Sequence, residues 1–291
     1  MTITPETAMR LAHDTDLLQG LLNPNRAPRS RPKGLSAKAK AEAHRVAALK
    51  ALAHWGHLRC GDVARLLWPR AKCSEQMAAR LMRRLENERG EVASRLNAIG
   101  TRTWVLTRRG AAALDLLGVS AHHGMELCSV AGATFIHRAV GSAYGIAKAE
   151  QGFEAFGEHS IAQGAAPASR EALVKRFRKL PDLLLVRGDK VTWVEVEASA
   201  KPMRDLQACV HIASAIGQPL VPGSPLTLAA LAFVFDQSQG HAQRIARAAR
   251  QHWSERSKVE REAMARRITL AHVDLGPLVR WQGLRESALI L

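Results

Sequence analysis

The chain is poor in cysteine, and what it has is not placed for chemistry. Cys60, Cys73, Cys128 and Cys209 fall in no Cys-x-x-Cys or Cys/His ligand spacing, so neither a disulfide framework nor a zinc finger is implied. They are expected to be reduced, mostly buried thiols of a cytoplasmic protein. No signal peptide is predicted, and no apolar run is long enough to cross a bilayer. The Gly-x-x-x-x-Gly-Lys cradle of nucleotide hydrolases does not occur, which leaves energy from ATP without an indication. No internal repeat is present. Apolar residues, by contrast, make up 47% of 291 positions, enough for the cores of two ordinary domains.

Charge is plentiful but uneven. The chain carries 42 Lys and Arg against 26 Asp and Glu, a net +16. Residues 26–110 hold 20 basic and 6 acidic side chains, a surplus of 14, whereas residues 111–291 hold 21 and 17, a surplus of 4. A solubilising surface would spread its charge. A surplus confined to one segment is the footprint of a polyanion-binding module, nucleic acid before membrane. Residues 1–40, with Arg29-Ser30-Arg31-Pro32-Lys33-Gly34, read as a flexible basic arm, either tracking phosphates or acting as a plain linker.

Helical apolar spacing through Val46, Leu49, Leu52 and Ala53 predicts a helix over 41–55, ended by Gly56. A second helix is predicted over 62–68, closed by Pro69. A third, capped by Ser74, runs over 75–88 with Met77, Leu81 and Leu85 as its buried stripe. Residues 92–96 and 101–106 then read as two strands around the turn Asn97-Ala98-Ile99-Gly100, and Thr107-Arg108-Arg109-Gly110 opens a further helix. Three helices followed by a two-stranded wing over residues 41–120 resemble the winged helix-turn-helix DNA readers. That resemblance implies groove or phosphate contacts for Gln76, Arg80, Arg83 and Arg84 on the third helix, and for Arg95 and Arg102 on the wing. Read without it, the same residues are a solvated helix face.

The most specific pattern lies further on. Pro181-Asp182 is followed thirteen residues after the aspartate by Glu195-Val196-Glu197, on two apolar runs joined by Arg187-Gly188-Asp189-Lys190. Side chains alternate along a strand, so Glu195 and Glu197 share a face, and pairing the runs folds Asp182 back beside them. Converging carboxylates call for a cation, and hard ions such as Mg²⁺ or Mn²⁺ take oxygen ligands of this kind. A solvated turn and a half-exposed strand would show the same alternation, but both runs are apolar enough to be central. These residues resemble the PD-(D/E)xK nucleases of restriction-endonuclease-like fold, with Glu197 in place of the usual lysine. Some restriction enzymes carry Glu-x-Glu there. By that likeness Asp182, Glu195 and Glu197 are metal-binding and catalytic, Lys201 can swing back into the site, and Glu154 or Glu150 is a fourth carboxylate.

Around this motif the expected order is a helix over 135–156 carrying Glu150 and Glu154, a first strand near 159–163, the two motif strands, a helix over 202–217, a strand over 226–235, a basic helix over 240–253 and a last strand over 268–273. The fold class expected is therefore α/β, a winged helix before a restriction-endonuclease-like core with a mixed sheet over 130–291. This domain order is similar to the replication-relaxation family, which includes the MobC-type relaxases of mobilisable elements. The resemblance implies Mg²⁺-dependent nicking of a transfer or replication origin. It also implies double-stranded DNA, relaxosome or replication proteins and a second copy in a homodimer as partners. The alternatives are a non-catalytic origin-binding or regulatory protein with a vestigial nuclease-like scaffold, and a defence-type restriction endonuclease. The chain's one tyrosine, Tyr144, is expected to be a packed helix residue rather than a covalent nucleophile.

Overall fold

The computed structural model describes residues 36–97, 99–129, 132–197, 201–236 and 240–291. The chain is mixed α/β and divides into two compact units, residues 1–131 with 149–152, and residues 132–148 with 153–291. The basic arm expected over 1–40 lies outside the described residues except for 36–40, which begin the first helix.

In the first unit α1 spans Ala37–Trp55, opened by Ser36, whose hydroxyl accepts from the Ala39 N–H, and closed by Gly56 at φ 77°. A three-residue strand, β1 (His57–Arg59), leads into α2 (Cys60–Leu67). Then come α3 (Ser74–Asn87), β2 (Val92–Leu96), β3 (Arg102–Leu106) and α4 (Arg108–Asp115). The three strands form an antiparallel sheet in the order β1-β3-β2. Ala98, in the turn between β2 and β3, lies outside the described residues.

Three readings of this unit are corrected. The short β1 has too few residues to show alternation, so nothing in the sequence marks it. The buried stripe of α3 is Ala78, Met82 and Leu85, while Met77 is exposed. Spacing of i, i+4, i+7 keeps residues on one line of a helix, whereas the expected i, i+4, i+8 drifts round it by about 80°. Ser74 is the first helical residue rather than the cap, a place taken by Cys73.

Buried arginines hold this unit together. Arg45 donates to both carboxylate oxygens of Glu91, at 2.8 and 2.5 Å, and also pairs with Glu42. Arg59 grips Asp62 through two guanidinium nitrogens at 2.7 Å, and its backbone N–H adds a third bond at 2.9 Å. One joint is unusually close: a Cβ on Gly110 would stand 2.1 Å from the Glu91 carbonyl oxygen. Only glycine lets α4 lie against that peptide.

The second unit opens with α5 (Gly132–Glu150, its last two residues counted with the first unit), β4 (Glu154–Gly157), α6 (Glu158–Ala162) and α7 (Arg170–Phe177). The hairpin β5 (Leu183–Arg187) and β6 (Lys190–Val196) follows, then α8 (Met203–Ile212), β7 (Thr227–Phe235), α9 (His241–His252), α10 (Lys258–Ala265), β8 (Ile268–Gly276) and β9 (Arg280–Ala288). The six strands make one mixed sheet in chain order; β6, β7 and β8 run parallel, and the other neighbours are antiparallel. The hairpin turn is tighter than its four-residue motif suggests, since Arg187 pairs with Lys190 and only Gly188, at φ 60°, and Asp189 are left over.

On one face of this sheet Leu184, Trp193, Leu231, Phe233 and Ile268 pack with Leu206 and Val210 of α8 and Ile245 and Ala249 of α9. Each such large apolar side chain contributes about 1.5–3 kcal/mol through burial. α5 serves the opposite face, where a Cβ on Gly141 would meet Val196 Cγ2 at 3.4 Å. β6 is therefore covered on both sides, which is why it reads as an almost unbroken apolar run.

Three expectations for the second unit change. α5 stops at Glu150 because Gly152 takes φ 89° and the Phe153 N–H turns back to the Lys148 carbonyl. Glu154 therefore sits on β4, not on the helix. The first strand is accordingly Glu154–Gly157, and most of the segment near 159–163 is the short α6. β9 is an addition that the sequence does not announce, because its exposed, charged residues lack the alternation of a strand with a buried face.

Candidate functional site

The carboxylates assemble where β5 begins and β6 ends. Asp182 extends the hairpin ladder by donating its N–H to the Val194 carbonyl at 3.0 Å, which sets it across from Glu195. Its Oδ2 accepts from the Val196 N–H at 2.7 Å, and its Oδ1 lies 3.1 Å from His137 Nε2 of α5. Burial pushes the Asp182 carboxyl up, but the hydrogen bond and charge of His137 outweigh it and hold the group below the ordinary carboxylate value. His137 is raised in return: burial lowers it, and Asp182 more than compensates.

Glu195 is completely buried. Oε1 accepts from Trp193 Nε1 at 2.7 Å; Oε2 lies 2.9 Å from Lys179 Nζ and 3.5 Å from both Lys201 Nζ and Cys209 Sγ. Burial and the neighbouring Asp182 charge raise its pKa even so. Glu197 is equally buried; its Oε1 takes Lys201 Nζ at 2.8 Å, while Oε2 has no hydrogen-bond partner among the described residues. Lys201 Nζ also reaches the Val196 carbonyl at 3.3 Å, and the Lys201 carbonyl accepts from Arg244 of α9. Burial lowers both lysines, but the carboxylates around them prevail and hold both above the ordinary lysine value. Cys209 is a neutral thiol, raised by burial.

Four residues named from the sequence thus come together: Asp182, Glu195, Glu197 and Lys201. Glu154 does not join them. It is exposed on β4 opposite Val186, four residues along β5 from Asp182, or roughly 13 Å at strand spacing. Glu150 is engaged by Arg65 at 2.8 and 3.0 Å. Among the described residues the potential ligand atoms fall into two groups, His137/Glu158/Asp182 and Glu195/Glu197/Cys209, rather than one set of three carboxylates. Sequence reasoning misses His137, Glu158, Lys179 and Cys209 as members. Lys179 carries a faint signal, three residues before Asp182 in a basic run; the others meet the site only through tertiary packing.

In the first unit Gln76, Arg80, Arg83 and Arg84 are all exposed on α3, as are Arg95 on β2 and Arg102 on β3. Arg84 pairs with Glu88 at 3.0 Å. Helix and hairpin are tied by Glu86, whose Oε1 accepts from the N–H and hydroxyl of Ser94, at 2.8 and 2.9 Å, and Ser94 in turn accepts from Arg102. Among the described residues no helix is long and apolar enough to cross a membrane.

No protein-family model matches the chain, and neither does any curated protein or any solved structure.

Proposed function

We propose that the protein binds duplex DNA through α3 and the β2–β3 hairpin in the manner of a winged helix, and cuts one phosphodiester bond with a restriction-endonuclease-like core. The observation that carries this reading is the return of Lys201 to Glu195 and Glu197, which restores a lysine to a motif lacking it at position 197. The site-specific task inferred from the motif likeness is nicking or relaxation at a transfer or replication origin of a mobile element. Relaxosome or replication proteins, or a second copy of the chain, would act beside it.

Asp182, Glu195 and Glu197 would hold Mg²⁺ or Mn²⁺. The donor chemistry fits such an ion in kind, since all are oxygens and Glu197 Oε2 is buried without a partner among the described residues. A bound divalent ion would neutralise charge developing on the phosphate. Lys179 and Lys201 offset part of the rise that burial imposes on the Glu195 carboxyl, and Lys201, partly exposed beside the cluster, would steady a phosphate oxygen. Tyr144 is no nucleophile in this scheme: it is buried, donates to Glu286 at 2.9 Å, and burial raises its pKa far from phenolate formation.

The same ion pairs favour a second reading, a non-catalytic DNA-binding protein, because His137, Lys179 and Lys201 already balance the three carboxylates. Nicking of supercoiled plasmid with and without Mg²⁺ or Mn²⁺ separates the two. Relaxation by the wild type that is lost in Asp182→Ala supports catalysis. An intact supercoiled band under every condition leaves the scaffold reading.

A further inference from the structure

Asp182 divides its two oxygens between different duties. Oδ2 is fixed by the Val196 N–H, leaving Oδ1 directed at His137 Nε2. Glu158, at the start of α6, is arranged alike: Oε2 accepts from Arg138 Nε at 3.2 Å, while Oε1 stands 3.8 Å from the same imidazole nitrogen. In each carboxylate one oxygen is held by an outer donor and the other is turned toward His137. That is how outer hydrogen bonds orient the ligands of a metal.

We propose that His137, Asp182 and Glu158 form a binding site for a first-row transition ion, preferring Zn²⁺ to Mn²⁺ and both to Mg²⁺. The spacing suits it. Two ligands at about 2.1 Å from a tetrahedral ion lie roughly 3.4 Å apart, and the observed separations of 3.1 and 3.8 Å bracket that edge, with all three ligand atoms within 4.8 Å of one another. An imidazole nitrogen selects against Mg²⁺, which favours oxygen and water, and the affinity of mixed nitrogen and oxygen sites rises from Mn²⁺ to Zn²⁺. The side chains are 25, 17 and 44% exposed, so remaining coordination positions face water. Lys179 and Lys201 do not compete for these oxygens at contact distance, being engaged by Glu195 and Glu197. The site takes Asp182 from the carboxylate cluster but neither glutamate of β6, and it stands whether or not DNA is cut.

The test is calorimetric titration of the full-length, chelator-stripped protein with ZnCl₂, MnCl₂ and MgCl₂ in turn. Zn²⁺ should bind most tightly and Mg²⁺ most weakly. Groups that merely orient a ligand are worth about ten- to a hundred-fold in metal affinity, so His137→Gln and Glu158→Gln should each weaken Zn²⁺ binding at least that much. The exposed His211–His252 pair, 3.3 Å apart, is the control: His252→Ala should leave the tight Zn²⁺ step in place. Glu158 is exposed, so Glu158→Gln reads the site even where His137→Gln lowers stability. The proposal is overturned by Zn²⁺ affinity unchanged in both variants, by loss of the tight step in His252→Ala alone, or by a Mg²⁺ step as tight as that of Zn²⁺ that Glu158→Gln weakens. A protein that binds Zn²⁺ here yet never nicks plasmid would retain this inference and lose the preceding one.

Discussion

The two units use charge in opposite ways. In the first, the buried ionic groups are guanidinium–carboxylate pairs closed within the fold, Arg45 with Glu91 and Arg59 with Asp62, while Arg80, Arg83 and Arg102 remain on the surface. In the second, carboxylates lie deepest, Glu195 and Glu197 at the end of a central strand, and half-exposed ammonium groups reach in to them. A planar fork can satisfy a buried carboxylate completely and permanently. A lysine on a flexible stem satisfies it and can still be displaced. The first arrangement is what a scaffold needs beneath a basic surface; the second leaves a concentrated group of acids open to exchange of its counter-charge.

That comparison is most exposed at Arg45. Arg45→Ala leaves Glu91 buried and unpaired, and should cost about 3 kcal/mol or more, whereas Arg80→Ala on the solvated face of α3 should change stability by no more than about 0.5 kcal/mol. Urea titration of the two variants measures both. Equal costs would mean that Arg45 and Arg80 do not differ in role.

Lys201→Met should come next, at roughly 2–3 kcal/mol, below the usual cost of breaking a buried pair: Lys179 still serves Glu195, and Glu197, which loses its partner, is already raised by burial and can take up a proton instead of standing as a bare charge. A loss as large as that of Arg45→Ala would show the lysines to be as fixed as the arginines.

pH sharpens the contrast further. Burial pushes the Asp62 carboxyl up, but the charge and hydrogen bonds of Arg59 prevail and hold it below its ordinary value. Its stabilising contribution is therefore present above the unfolded pKa near 3.8 and is lost as pH falls through the lower folded value. Glu195, raised by burial, has the other sign: its contribution is present below the unfolded 4.5 and fades as pH rises through the folded value. Asp62→Asn should accordingly be penalised more at pH 7 than at pH 3. Glu195→Gln should gain on the wild type between pH 4 and pH 8, and parallel pH trends for the two variants would erase the distinction.

The smallest effect on stability, yet a large one on binding, is expected for Arg80→Ala with Arg84→Ala. Each lost phosphate contact should reduce the salt slope of DNA binding by about one. Affinity measured across salt concentrations, with the fold checked by circular dichroism, gives the number; an unchanged slope would remove α3 from the interface.

How much of the fold and site is legible in the sequence depends on how far apart the cooperating residues lie. β5 and β6 are legible because a buried strand is apolar throughout, and pairing across a short turn is enough to put Asp182 beside Glu195. His137 and Glu158 are not, since the 45 and 24 residues separating them from Asp182 carry no periodicity that forecasts contact. β9 is hidden by its own polarity. Glu154 is misplaced for a local reason: the run up to Phe156 has a helical pattern, and the left-handed Gly152 that interrupts it leaves no mark on that pattern. Met77 falls outside the core because the interval that joins it to Leu85 is one residue too long.

The close approach at Gly110 links sterics to charge. A single methyl there would meet the Glu91 peptide, and Glu91 is also the residue whose carboxylate receives Arg45. Gly110→Ala thus acts as a lever: pushing the peptide away lengthens a buried ion pair that the new methyl never touches, and an uncharged substitution would register as an electrostatic defect.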